Sequence, residues 1–386
     1  MKEIYFDNSA TTKISEEALS KYIEVSRVDF GNPSSLHSLG LNAEKLMKSV
    51  REEILLSLGA TDCSVVFTAS GSEANNLAIL GRAFSKERYK GKKIITTAGE
   101  HASVSMPLAR LSQLGFKVVS IPTLGGKLDM DALKAELTPD VILLTMMMVN
   151  NETGARYDTA EASKLLHRAC PEALVHLDAT QSYMKYPFTK ASAGADMITL
   201  SSHKIEGPKG VGALVISNAI IKSKGLSPLI LGGGQEGGLR SGTENVPAIC
   251  AFGEAVRIGR ASVRDHYRKL SALRDELVEK LREIPELSIT IPESFSPHIV
   301  NITLPNIKSE TMLHYLSSFG IYVSSGSACS SHGVHGESAL VAFGRSEAEA
   351  DCSIRISLSH RNTSEEIETL CSALREGIST LARIRR

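Results

Sequence analysis

Short apolar runs punctuate the first two thirds of the chain, and most are apolar at consecutive positions rather than at alternate ones. Between about residues 15 and 260 they fall at 65–67, 93–96, 117–120, 141–144, 173–177, 197–200 and 212–216, separated by longer amphipathic stretches. Strands buried on both faces and spaced by helix-length segments predict a mostly parallel seven-stranded sheet covered by helices, an α/β architecture. After Pro247 the pattern changes. A charged, helix-favouring stretch at 248–284 leads into strand candidates at 287–291, 299–304, 321–324 and 353–358. These read as a smaller α+β unit. The expected division is a large domain over 15–260 and a small one made of 1–14 and 261–386.

Composition narrows the partner. At 386 residues, 42% hydrophobic and 22% charged, the chain can bury two cores without staples. Its 43 basic and 43 acidic residues balance, which points away from nucleic acid and membrane surfaces and toward a small molecule or another protein. The longest apolar stretch, 141–149, is too short to cross a bilayer, and 1–12 lacks the apolar core of a signal peptide. Cys63, Cys170, Cys250, Cys329, Cys352 and Cys371 show no CxxC or CxxH spacing. Neither a metal site nor a disulfide framework is expected, and a reducing cytoplasm is the expected location.

In an open α/β sheet, ligands collect at the loops that follow the strands. Four such places carry polar chemistry. At 67–76 a strand turns through Ser70, Gly71 and Ser72 into a helix, an arrangement that suits an anion or simply caps the helix. At 174–181 an apolar run ends on Asp178, placed to pair with a pyridinium nitrogen or to cap a helix. At 197–210 a run ends in Ser201-Ser202-His203-Lys204, where a desolvated amine could condense with an aldehyde, although most lysines are merely solvated. At 323–333 Cys329 sits in a Ser/Gly/Ala stretch without apolar partners, the setting of a reachable thiol rather than a core cysteine.

Together these fragments resemble the cysteine desulfurases, in the class V branch of fold-type I pyridoxal-phosphate (PLP) enzymes. The resemblance runs almost end to end, through 5–12 (YFDNSATT), 31–37 (GNPSSLH), Glu100-His101, 149–154 (VNNETG), 178–181 (DATQ), His203-Lys204, 232–236 (GGGQE), 240–245 (RSGTEN), 324–329 (SSGSAC) and 353–355 (SIR). It implies a PLP cofactor held as a Schiff base by Lys204. Asp178 would pair with the ring nitrogen, Gln181 and Asn151 would bond near the ring hydroxyl, and His101 would lie over the ring and move protons. Gly71, Ser72, Ser201 and His203 would bind the phosphate, joined by Thr243 from the second subunit of a homodimer. Arg355, with Asn151, would hold the carboxylate of L-cysteine, and Cys329 would accept its sulfur as a persulfide for a sulfur-acceptor protein in iron–sulfur cluster assembly or tRNA thiolation.

The sequence also departs from the family pattern. Ser72 stands where threonine is common, Gln235-Glu236-Gly237 lacks the usual arginine after the glutamate, and 332–344 and 381–386 differ from the housekeeping members. A selenocysteine or cystine lyase on the same fold, or a non-catalytic sulfur carrier, stays open as an alternative because fold and cofactor do not fix the substrate.

Overall fold

A computed structural model describes residues 3–86, 91–325 and 338–381. Its strands are β1 (Ile4–Tyr5), β2 (Cys63–Thr68), β3 (Lys93–Thr97), β4 (Lys117–Ile121), β5 (Val141–Met147), β6 (Leu174–Asp178), β7 (Met197–Ser201), β8 (Gly212–Ser217), β9 (Ser288–Thr290), β10 (Ile299–Thr303), β11 (Ile321–Tyr322), β12 (Ser324–Ser325) and β13 (Ser353–Ser357). The large sheet has seven strands in the order β2-β8-β7-β6-β5-β3-β4. From β4 through β7 all neighbours run parallel, whereas β8 is antiparallel to both β7 and β2. The reversal has a local cause. Residues 202–211, between β7 and β8, form a tight turn with Ser202–Lys204 in a single 3-10 turn, too short to carry a parallel crossover.

Burial explains why these strands read as continuous apolar runs. Ile95, Leu144, Ile198 and Val215 enter the core on one side of the sheet. Their neighbours Ile94, Leu143, Met197 and Leu214 enter the core on the other. Because side chains alternate across a strand, a sheet covered on both faces favours apolar residues at consecutive positions.

A third core gathers Ile4 and Phe6 with Leu270, Leu277, Ile302, Leu316, Ile354 and Leu374. It backs the antiparallel sheet β12-β13-β10-β9 and the small parallel pair β1-β11. One 37-residue helix, Val246–Arg282, joins the two units. Its stretch from Val246 to Val256 packs into the large core, and the stretch from Leu270 to Leu281 packs into the third. Residue 260 therefore lies inside a continuous helix. The expected strand at 321–324 divides in two: β11 pairs with β1 and β12 pairs with β13. Strand pairing, invisible in the hydrophobic pattern, makes that division.

One close approach shapes the ligand end of the sheet. A Cβ on Gly212 would lie 2.6 Å from the Ser70 carbonyl carbon and 2.8 Å from the Gly71 nitrogen. Glycine at the first residue of β8 is what lets this strand pass under the turn that follows β2.

Candidate active site

The strands β5, β6 and β7 end at Met147, Asp178 and Ser201, and all three residues line a cavity of about 460 Å³. Gly71, Ser72, His101, Asn151, Gln181, His203, Lys204 and Arg355 line the same cavity, so residues spread from 71 to 355 meet at the carboxyl edge of the sheet. Thr243 does not reach it within its own chain and lies instead in a separate depression with Arg240, Glu244 and Asn245. Cys329 lies outside the described residues. Ser324 and Ser325, the last described residues before it, line the cavity.

The anion end is built on the helix Gly71–Phe84. Ser70 caps it, its hydroxyl accepting from Glu73 N at 3.1 Å, and Gly71 and Ser72 form the first turn, where free N–H groups and the helix dipole favour a negative ligand. A Cβ at Gly71 would crowd Ser201 Cβ at 3.2 Å and Thr180 Oγ1 at 3.3 Å, so glycine keeps this cradle open. His203 joins it, with Nδ1 held 3.1 Å from Thr11 Oγ1. Burial, with the neighbouring Lys204 and Lys209 charges, drives its pKa down to about 4, leaving a neutral imidazole that serves as a hydrogen-bonding group rather than a cation.

At the other end stands Asp178. One carboxylate oxygen accepts from Thr180 N at 2.9 Å and the other from Asn75 Nδ2 at 2.8 Å. The capping reading and the ligand reading are thus both partly realised, because the carboxylate supports its own turn while facing the cavity. His101 behaves similarly. It caps the helix Ala102–Gln113, its Nδ1 accepting from Ser103 N at 3.1 Å, which leaves Nε2 as the protonated nitrogen of the neutral ring. Burial lowers its pKa, and the Asp178 charge opposes that shift.

Lys204 is largely buried. Its Nζ donates to the carbonyl of Ala10 at 2.8 Å and to the carbonyl of Ser9. Burial first, then the Arg355 charge, lower its pKa to about 8 against the opposing pull of Asp178 and Asp7. Arg355 reaches the cavity from β13 in a fixed pose: Nη1 donates to Glu152 Oε1 at 2.9 Å and Asn151 O at 3.0 Å, and Nη2 donates to Asp7 Oδ1 at 3.1 Å.

Several contributors carried no assigned role in the sequence reading: Asn75 and Thr180 on Asp178, the Ser9 and Ala10 carbonyls on Lys204, and Asp7 and Glu152 on Arg355. All lie inside the quoted motif segments, which was the available signal. Thr180 is a local partner, two positions from Asp178; the others are distant from their partners in sequence, and only the fold shows them. The missing arginine after Glu236 is offset locally, since Arg51 pairs with Glu236 at 2.7 Å and Phe67 N donates to the same carboxylate at 2.9 Å.

These residues fit pyridoxal phosphate. An anion cradle, a poorly solvated amine and a carboxylate anchored by two N–H donors match its phosphate, aldehyde and ring nitrogen. Ser9 Oγ, Asn75 Oδ1 and Glu152 Oε2 are buried polar atoms with no hydrogen-bond partner among the described residues, all on cavity-lining residues. Such atoms are costly unless a polar ligand meets them.

Comparison with known proteins agrees with this geometry. A family model described as aminotransferase class-V matches residues 4–370. A NifS/IcsS protein homolog of Lactobacillus delbrueckii subsp. bulgaricus is 38% identical, covering 97% of this chain and 96% of the relative. Cysteine desulfurase IscS 1 of Archaeoglobus fulgidus is 36% identical, with 96% and 95% covered. Among solved structures, a NifS-like protein superposes with a TM-score of 0.90 at 34% identity, covering 98% of this chain and all of that one. SspA in complex with cysteine superposes with a TM-score of 0.79 at 31% identity, covering 94% of this chain. The chain therefore belongs to the aminotransferase class-V family of PLP-dependent enzymes, on its cysteine desulfurase branch.

Proposed function

We propose that this enzyme is a cysteine desulfurase, converting L-cysteine to L-alanine and leaving the sulfur as a persulfide on Cys329. The observation that carries this reading is the convergence of a Lys204 amine with its pKa lowered to about 8, the braced Asp178 carboxylate and the Arg355 fork in one cavity. Named relatives with near-complete coverage, and a structural neighbour described as bound to cysteine, support the choice of substrate.

When bound, pyridoxal phosphate supplies an aldehyde for amine condensation and a protonated ring that withdraws electrons from the substrate Cα. Lys204 would hold the cofactor and, as a free amine, would take the substrate Cα proton; an amine near pKa 8 is a competent base at neutral pH. Asp178 would keep the ring nitrogen protonated. Arg355 and Asn151 orient the substrate carboxylate, which aligns Cα with Lys204. His101, which lines the same cavity, would deliver protons on the substrate side. The Cys329 thiolate attacks the substrate sulfur, so that a new S–S bond forms as the C–S bond breaks. The electron pair of that bond stays with the three-carbon fragment, which is protonated and released as alanine.

The same reading makes the enzyme a cytoplasmic homodimer, in a compartment reducing enough to keep Cys329 a thiol. Thr243 would complete the phosphate site of the second copy. Leu36, Leu231 and Phe30, exposed by 93%, 78% and 65%, are apolar surface that such a dimer would cover. The persulfide would pass to a sulfur-acceptor protein in iron–sulfur cluster assembly or tRNA thiolation.

Incubation with L-cysteine tests this directly. Alanine should appear in step with a persulfide mapped to Cys329 by mass spectrometry, and Cys329→Ala should keep the cofactor yet release no sulfide. Full turnover by that variant would overturn the role of Cys329 and favour a lyase acting without an enzyme thiol.

A further inference from the structure

Behind the cavity wall a chain of hydrogen bonds runs from the small domain to the cofactor-facing amide of Gln181. Gln181 Nε2 donates to the Ser9 carbonyl at 2.9 Å. Gln181 Oε1 lies 3.3 Å from His298 Nε2, and His298 Nδ1 lies 2.8 Å from Ser296 Oγ. Ser296 and His298 are both fully buried, at the entry to β10.

The direction of every bond follows from one fixed point. A backbone carbonyl can only accept, so the Gln181 atom facing Ser9 O must be the amide nitrogen. The amide oxygen then faces His298, which must present a proton on Nε2. Neutral imidazole carries one proton, so Nδ1 is a bare lone pair and Ser296 donates its hydroxyl to it. Burial, with the Lys185, Arg355 and Lys204 charges nearby, holds the pKa of His298 well below the ordinary value. The ring is therefore neutral, and one tautomer satisfies all its neighbours. Of the two hydrogens on the Gln181 amide, one goes to Ser9 and the other is left for the cavity that Gln181 lines.

We infer that His298, oriented by Ser296, is a positioning residue that locks the Gln181 amide with an N–H toward the cofactor, so that Gln181 can act there only as a donor. The inference rests on the proposed reading that pyridoxal phosphate occupies this cavity. Its chemical consequence is selective stabilisation of an oxyanion on the ring, which a flipped amide would repel. The flip is otherwise cheap, because the two ends of a carboxamide have nearly the same shape.

Two measurements test it. In protein labelled with nitrogen-15 at histidine, the His298 signal, assigned by its loss in His298→Asn, should show the Nε2–H tautomer and should not titrate between pH 6 and 9, with or without cofactor. An Nδ1–H tautomer, or a midpoint near the ordinary 6.5, would overturn the inference. In the loaded enzyme, Ser296→Ala and His298→Asn should each shift the pH midpoint of the visible cofactor band upward and speed cofactor loss about tenfold, the size expected for a lost bond to a charged group. Neither should add a further shift in a Gln181→Ala background. A full additional shift in that background would mark a general structural effect and sink the inference. Absence of any visible band in the wild-type protein would instead defeat the functional reading, and the tautomer measurement would still decide the positioning role.

Discussion

Asn75 and Asp178 are 103 positions apart in sequence and 2.8 Å apart in the structure, the amide nitrogen of the first donating to a carboxylate oxygen of the second. Asn75 also donates to Ser103 Oγ at 2.8 Å, so one buried amide braces both the carboxylate that would serve the ring nitrogen and the turn carrying His101. Asn75→Ala should loosen Asp178 and speed cofactor loss, with the overall fold intact. A bond to a charged group contributes about 1.5–3 kcal/mol, so dissociation of the cofactor, followed by its absorbance during dialysis, should quicken by at least about tenfold. Asn75→Asp should be worse, because it places two carboxylates in contact. Unchanged retention in both variants would remove Asn75 from the site.

Lys204 sets a second expectation. Burial and the Arg355 cation lower its pKa from 10.5 to about 8, so the uncharged amine becomes plentiful as pH rises through 8 rather than through 10.5. The rate at which cofactor-free protein takes up pyridoxal phosphate should rise with a midpoint near 8. Replacing Arg355 by Met removes a positive neighbour and should move that midpoint upward. A wild-type midpoint close to 10.5 would contradict the desolvated environment.

Glu100 gives the third. Its Oε1 accepts from Met147 N at 2.9 Å and from the Thr97 hydroxyl, and burial raises its pKa from 4.5 to about 8. The folded state thus holds a proton that the unfolded state releases near 4.5. The contribution to stability is fully present below pH 4.5 and is lost as pH rises toward 8. Glu100→Gln keeps a neutral side chain with an acceptor and a donor at every pH. Its melting temperature relative to wild type should therefore climb between pH 5 and 8.5, and a pH-independent difference would count against a protonated Glu100.

The fold was legible in the sequence wherever burial alone dictated residue type. Strands covered on both faces favour apolar residues at consecutive positions, and this marked the strands of the large sheet and separated them from the alternating strands of the small domain. The candidate site was legible as a set of motifs, because a helix start that binds an anion, a carboxylate ending a strand and a lysine after another each need particular residues at particular spacings. Three-dimensional arrangement decided the rest. The reversal of β8, the division of 321–324 between two sheets and the helix Val246–Arg282 that serves two cores depend on which segments pair and pack, and no local pattern records that. So do the partners that set the chemistry: Asn75 on Asp178, Asp7 and Glu152 on Arg355, and His298 behind Gln181. The sequence named the reactive groups, since their chemistry is a property of residue type. Their charge state and orientation arise from desolvation and from hydrogen bonds between segments 100 to 350 positions apart, and these exist only once the chain has folded.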